Sequence, residues 1–380
     1  MKLVRNAEVL SPEPLGKKDI LIEGTKIAWI AERIHGYEEA EVIDASGLTL
    51  VPGYIDLHEH ITGGGGEQGF ASRVPEASLS LLIQSGVTTV LGLLGTDGIT
   101  RSLENLLAKA REFQENGITA YILSGSYGYP PVTFTGSVER DLVLIPEVRG
   151  VKTAVSDHRS SDPQSKELIA LGTAVRRGAM LAGKGGFVTM HMGSGRKGLD
   201  PLFKALAESD LPAYTFLPTH MLRTEHLMEQ GLQFISMGGY MDCTAEGEEP
   251  GLSETADKLL KLISSDKDVI HHLTLSSDAF GSMPKFNEHM ECIGLTYSGP
   301  QSLHETMKAL VNKGLALPDA IRLLTINPAK VLHLSGKGRI AEGCDADFLL
   351  LNEKLNITSV YAKGRCAMDH GNVLMKGRFE

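Results

Sequence analysis

The sequence predicts an α/β fold, a TIM (β/α)8 barrel flanked by a small β-sandwich-like domain formed from both chain ends. Three observations predict it. Eight short apolar runs alternate with helix-period segments over about 230 residues, the size of such a barrel. Many of those runs end in polar or ionisable residues, where a barrel gathers its active site. Short β patterns without helical period fill residues 1–52 and return over 338–380, leaving 53–337 for the barrel. A doubly wound open sheet is the competing architecture; the count of eight favours the barrel.

At the start of the chain, residues 7–10, 20–22 and 26–31 read as strands, with Gly24-Thr25 as a hairpin turn. Leu50, Val51, Tyr54, Ile55 and Leu57 read as the first barrel strand, with Pro52-Gly53 as the turn leading into it. A helix over 75–84 has Pro75 near its start and Gly86 after its end. The second strand is 87–94, followed by a helix over 103–114 that stops at Gly117. Strands three and four are 118–123 and 148–155. A helix over 164–181 leads to the fifth strand, 187–192, and Asp200-Pro201 opens another helix by side-chain capping and an N1 proline. Strands six, seven and eight are read at 214–221, 232–237 and 273–277. A helical tail over 319–334 precedes further β runs at 347–351, 357–362 and 372–375.

Composition narrows the function. With 42% hydrophobic and 22% charged residues the chain reads as an ordinary soluble globular protein. A formal charge of −10, without a basic stripe, argues against nucleic-acid binding. No run approaches the ~20 apolar residues of a membrane span. Nor does a continuous apolar stretch precede Ser11-Pro12, so no signal peptide is expected and the location is read as cytoplasmic. Cys243, Cys292, Cys344 and Cys366 are scattered without C-x-x-C spacing, as reduced thiols would be.

The chemistry is read at the strand ends. Successive strand side chains point to opposite faces, so His58 and His60 share one face while Glu59 faces away. Alone, this pair reads equally as two histidines satisfied by backbone carbonyls. Lys152 on strand four, His191 on strand five, His220 on strand six and Asp278 just past strand eight converge with it in a barrel. Taken singly, these are interior histidines, a turn aspartate and a salt-bridged lysine. Together they make a metal centre. An inward ammonium beside metal ions is repelled unless it is altered; carboxylation by carbon dioxide would turn it into an anionic bridge.

The segment Val51-Pro-Gly-Tyr-Ile-Asp-Leu-His-Glu-His60, the later lysine, histidines and aspartate, Asn327-Pro-Ala329 and Gly343-Cys-Asp-Ala-Asp347 resemble the amidohydrolase superfamily. Within it, Gly63-Gly-Gly-Gly-Glu67, Leu94-Gly-Thr-Asp97, Ser124-Gly-Ser-Tyr127, Val151 to Arg159, His220-Met-Leu-Arg223 and Ser276 to Ser282 are similar to the isoaspartyl (β-aspartyl) dipeptidase family. The resemblance implies two Zn2+ ions, with Co2+ or Mn2+ as alternatives. His58, His60 and Asp278 would hold one, His191 and His220 the other, and carboxylated Lys152 would bridge them around a nucleophilic hydroxide. Asp278 would serve as general base and acid. By the same resemblance Glu67 pairs with the substrate ammonium, Arg159 and Arg223 take carboxylate, and Tyr127 stabilises the developing oxyanion. Gly65, Thr96 and Ser282 supply further hydrogen bonds.

The implied substrate is a small isoaspartyl dipeptide, and the implied assembly a homo-oligomer, with an octamer as the candidate state. Two alternatives stand beside it. A cyclic amidohydrolase of dihydroorotase or hydantoinase type has no substrate ammonium for Glu67 to meet. A non-catalytic assembly protein on the same fold would not need the whole ligand set.

Overall fold

A computed structural model describes residues 1–289 and 291–380, the side chains of 284–286 and 292 excepted. The chain opens with β1 (Lys2–Leu10), β2 (Pro14–Glu23) and β3 (Lys26–Ala31), an antiparallel meander, then β4 (Glu41–Asp44) and β5 (Thr49–Pro52). The first half of β1 pairs in parallel with β4 and the second half with β5, so the sheet forks at β1. Alternating apolar residues of β1 and β2 (Val4, Ala7, Val9, Ile20, Ile22) bury one face between the arms. Gly24 at φ 59° makes the expected turn between β2 and β3.

Gly53 carries the chain from this sheet into the barrel. A Cβ there would lie 2.2 Å from Thr88 Oγ1, so only glycine passes. The barrel strands follow with the helices between them: β6 (Tyr54–Glu59), α1 (Leu79–Gln84), β7 (Val87–Gly92), α2 (Leu103–Asn116), β8 (Thr119–Gly125), α3 (Val138–Leu144), β9 (Val148–Val155), α4 (Ser165–Ala182), β10 (Phe187–Met192), α5 (Asp200–Ala207), β11 (Phe216–Thr219), α6 (Glu225–Ser236), β12 (Met241–Thr244), α7 (Gly251–Ser265) and β13 (Leu273–Ser276). Strands β6 to β11 form one parallel sheet in sequence order, and β12 pairs in parallel with β13. Met221 N donates to Asp242 O (3.3 Å) and His60 N to Ala279 O (2.9 Å), joining the two groups at both seams. Both faces of β6, β7 and β10 are buried, as parallel strands between a helical layer and a barrel interior must be.

Beyond β13 come the hairpin β14 (Ser282–Phe286) and β15 (Cys292–Tyr297), then α8 (Gln301–Asn312), α9 (Leu317–Arg322) and α10 (Ile326–Val331). The chain returns to the first sheet through β16 (Phe348–Leu351), β17 (Ile357–Ala362), β18 (Arg365–Asp369) and β19 (Asn372–Val373). β16 lies antiparallel against β5, so both ends of the chain build one nine-stranded sheet. Among the described residues no helix is long and apolar enough to cross a membrane. Cys243 and Cys344 are buried free thiols and Cys366 is partly buried; the side chain of Cys292 lies outside the described residues.

Several sequence expectations are corrected. The seventh strand is β12 and not 232–237, which lies in and just past α6. Thr224 caps that helix by accepting from Leu227 N (3.1 Å), and its buried positions 227, 228, 231, 234 and 235 have helical spacing. β12 itself is only four residues long, too short for the alternation of Met241 and Cys243 with Asp242 and Thr244 to stand out. The first barrel helix begins at Leu79, because Ala77 N is held by Ile61 O (3.0 Å) and keeps the segment from Pro75 extended. Asp200 is not a cap; its carboxylate accepts from Gln230 Nε2 (2.8 Å). β4, α3, α7, the hairpin, α8 and β18 were not anticipated, Leu50 and Val51 belong to β5 of the first sheet and not to a barrel strand, β11 is shorter than 214–221, and the last strand is shorter than 372–375.

The returning chain is pinned by a buried ammonium. Lys337 Nζ contacts Asp345 Oδ2 (2.8 Å) and Asp347, and Lys26 reaches Asp345 from β3 (2.7 Å). Burial works to raise the Asp345 carboxyl, but the Lys337 and Lys26 ammonium groups outweigh it and hold it below the usual range. A carboxyl depressed on folding stabilises the folded state above its unfolded pKa of ~3.9 and loses that effect as pH falls through its folded value. Lys337→Met should therefore destabilise the protein by about 3 kcal/mol at pH 7. The deficit should shrink below about pH 4 as the stranded carboxylates protonate; urea unfolding of both proteins across that range measures it.

Candidate functional site

The C-terminal ends of the barrel strands bring the six expected metal-ligating residues together. His58 ends β6 with His60 just beyond, Lys152 lies on β9, His191 on β10, His220 follows β11, and Asp278 follows β13. All six are buried. His220 and Asp278 take left-handed backbone angles (φ 63° and 50°), turning their side chains inward as each strand ends. Asp278 Oδ1 lies 3.1 Å from His60 Nε2 and 3.5 Å from His58 Nε2, and its Oδ2 4.0 Å from His220 Nδ1. Lys152 Nζ is 3.2 Å from His58 Nε2. The His191 and His220 rings are 4.5 Å apart, and those of His58 and His220 5.0 Å.

Electrostatics make these groups ligands rather than cations. Burial lowers all four imidazoles, reinforced at His58 by Lys152 and at His220 by Arg223; His191 falls to about 3. Burial also lowers the Lys152 amine to about 7. Asp278 goes the other way: burial opposes its ionisation, yet the His60 hydrogen bond and the neighbouring imidazoles and amine hold it below the usual carboxylate range. His58 Nδ1, His60 Nδ1 and His220 Nε2 are buried without a hydrogen-bond partner. One ligand atom from each of His58, His220 and Asp278 lies within 4.8 Å of the others. Neutral imidazoles with free lone pairs around an ionised carboxylate are the donor set that a Zn2+-class metal takes.

Two further buried carboxyls frame the centre. Asp56 accepts from His58 N (3.1 Å) and Ser277 N (3.2 Å), tying the end of β6 to the end of β13. Asp242 on β12 collects the hydroxyls of Thr219 (2.7 Å), Thr274 (2.6 Å) and Ser276 (2.5 Å) from both neighbouring strands. Burial pushes them up to about 7 and about 6. Glu59, also buried, does not line the cavity.

Above this candidate metal site opens a cavity of about 750 Å3, lined by the other expected residues. Gly63 to Gly66 lead to Glu67. Gly63 and Gly65 have φ 75° and 85°, and a Cβ on either would meet the carbonyl of Val74 or Ser72 at 2.1 and 2.4 Å. Glu67 accepts from Thr96 Oγ1 (3.2 Å) and Ser282 Oγ (2.6 Å), with Arg159 Nη1 at 3.8 Å. Thr96 and Ser282 thus orient the carboxylate. Tyr127 OH lies 2.9 Å from His191 Nδ1, and burial pushes its phenol up, so it remains a proton donor. Arg223 donates to Met192 O (2.7 Å) and lies 3.2 Å from His191 Nε2.

The sequence reading missed Asp157, whose carboxylate takes the Arg159 guanidinium in a fork at 3.0 and 2.9 Å. A carboxylate two positions before a candidate arginine was the available signal. It also missed Thr244, whose Oγ1 is 2.6 Å from His220 Nδ1, and nothing in its local sequence marks it.

The family model of the amidohydrolase family matches residues 49–367. A β-aspartyl dipeptidase from Fervidobacterium islandicum AW-1, solved in complex with a β-Asp-Leu dipeptide, is 45% identical, with a TM-score of 0.92 over 98% of both chains. A second structure of β-aspartyl dipeptidase from that organism is 43% identical, with a TM-score of 0.89 over 98% of both chains. A dihydroorotase from Elusimicrobium minutum is 25% identical over 95% of this chain and 90% of its own.

Because Thr244 orients His220, Thr244→Val should weaken divalent-metal binding by about 10- to 100-fold. Thr244→Ser should preserve it. Competition with a chromogenic chelator measures both.

Proposed function

Because the chain belongs to the amidohydrolase family, whose model spans residues 49–367, we propose that this amide hydrolase cleaves the β-aspartyl (isoaspartyl) bond of dipeptides with two Zn2+ ions. One observation carries the substrate reading: Glu67, oriented by Thr96 and Ser282, faces the same cavity as Arg159 and Arg223. A β-aspartyl dipeptide presents a free ammonium and two carboxylates around its amide, and among the charged groups lining this cavity are the Glu67 carboxylate and the Arg159 and Arg223 guanidiniums. A cyclic amide has no ammonium for Glu67 to meet. The neighbour solved with β-Asp-Leu supports the reading at 45% identity. The presence of the whole expected ligand set speaks against the assembly-protein alternative.

In this reading His58, His60 and Asp278 would hold one ion, His191 and His220 the other, and Lys152, carboxylated, would serve both; Co2+ or Mn2+ would suit the same donors. Bound there, the metals supply a hydroxide nucleophile near neutral pH and polarise the scissile carbonyl.

The chain's own residues do the rest. Burial lowers the Lys152 amine to about 7, so much of it is free base, the form that adds carbon dioxide and releases a proton to become a carbamate. Glu67 binds the α-ammonium, and Arg159 and Arg223 bind carboxylate, which aligns the amide over the cluster. The protonated Tyr127 phenol donates to the oxygen that gains charge. Asp278, held ionised, accepts the proton of the attacking hydroxide on a carboxylate oxygen and returns it to the leaving amine nitrogen. Gly65 contributes backbone hydrogen bonding beside Glu67. A cytoplasmic homo-oligomer, up to an octamer, with no nucleic-acid or membrane partner, completes the proposal.

Lys152→Ala should lose both activity and metal and regain part of each when small carboxylic acids are added. Full metal content and full turnover in that variant would exclude the bridge. Substrate choice is tested with α- and β-aspartyl-leucine, the latter also N-acetylated: only the free β-linked dipeptide should be cleaved well. Glu67→Gln should lose at least about ten- to a hundredfold in kcat/KM, since charged hydrogen bonds are worth about 1.5–3 kcal/mol, while keeping its metals. Equal hydrolysis of free and N-acetylated peptide by the wild type would overturn the assignment.

A further inference from the structure

Glu67 sits on a loop whose ordering is costly in conformational entropy. Four consecutive glycines precede it, and glycine loses more conformational freedom on ordering than any other residue. The loop leaves β6 at residue 61, turns near Glu67 and doubles back to residue 77. Its arms are joined by Val74 N to Gly64 O (2.9 Å), Gly66 N to Ser72 O (3.3 Å) and Ala77 N to Ile61 O (3.0 Å).

Arg101 crosses both arms. It comes from the segment between β7 and α2 and is 9% exposed. One guanidinium nitrogen donates to Thr62 O; the other donates to Val74 O (2.8 Å) and lies 3.5 Å from Gly64 O. Two of these carbonyls belong to the outgoing arm and one to the returning arm, so a single planar fork bridges them. Its own segment is shaped by Asp97, which accepts from Ile99 N (3.0 Å) and Thr100 N (2.8 Å). The same segment carries Thr96, which donates to Glu67 at 3.2 Å. One stretch of chain therefore grips the loop at its base through Arg101 and holds the carboxylate at its tip through Thr96.

We infer that Arg101 is a positioning residue for substrate recognition: by clamping residues 62–74 it holds Gly65 and Glu67 where the substrate ammonium binds. This rests on the proposed role of Glu67. A buried guanidinium on backbone carbonyls has no contact with the metal-ligating side chains among its hydrogen bonds, so its removal acts on recognition and not on metal content.

The test compares metal-loaded wild type, Arg101→Met and Arg101→Lys on β-aspartyl-leucine and its N-acetylated form, with metal content and Tm recorded. Arg101→Met should keep its metals, raise KM for the free dipeptide by about tenfold or more, the scale of lost charge-assisted hydrogen bonds, and leave kcat little changed. Its preference for the free over the acetylated peptide should fall by the same factor. Arg101→Lys, which keeps the charge but not the fork, should fall between and serves if the methionine variant does not fold. A structural role alone would lower Tm or the active fraction and scale both substrates equally. Wild-type preference retained in both variants overturns the clamp. If wild type shows no preference, the Glu67 reading fails instead. Hydrogen exchange over 62–74 then decides the clamp: faster exchange in Arg101→Met upholds it and unchanged exchange overturns it.

Discussion

One constraint shapes the centre of this molecule: four buried imidazoles must remain neutral while one carboxylate among them remains ionised. Burial does the first part by itself, since a desolvated imidazolium is unfavourable. The second part needs partners, because a lone buried carboxylate would take up a proton, as Asp56 and Asp242 tend to do. Asp278 escapes this because His60 and His58 face it at 3.1 and 3.5 Å. The hydroxyls gathered by Asp242 and the seam bridged by Asp56 then fix where those strand ends stop. Directional hydrogen bonds hold the floor of the site to tighter tolerance than apolar contacts do.

Most of the barrel could be read from its sequence because parallel strands buried on both faces leave continuous apolar runs. Six of the eight were found nearly in register, from β6 to β10 and at β13. β11 was found too long. β12 was missed for a physical reason: four residues are too few for their alternation to stand out, while the helix before it offered a longer apolar run over 232–237. The cluster of candidate ligands could be located because strand ends impose a position on it. Asp157, Thr244 and Arg101 were not, because each acts on another residue across the chain, and neither periodicity nor spacing records such a contact.

The division of labour follows from the fold. Strand ends supply the reacting centre, where backbone hydrogen bonding on both sides holds each side chain. In the proposed function the loops above supply selection, through Glu67, Arg159 and Arg223. Changes in the loops can therefore alter what is bound without moving the centre. This accounts physically for a chain whose similarity reaches dihydroorotase at 25% identity and β-aspartyl dipeptidase at 45%.

The nine-stranded sheet has a consequence for synthesis. β5, beside the entry to the barrel, is completed by β16, which leaves the ribosome only after all the barrel strands and helices. Until then one edge of β5 has backbone groups with no neighbouring strand, and an uncovered edge is open to pairing with another nascent chain. Joining strands so distant in sequence also carries a large loop-closure entropy, which makes this step slow. The last stretch of the polypeptide thus acts as a latch on a protein whose catalytic half has already been translated, and the interval before it closes is when aggregation threatens most.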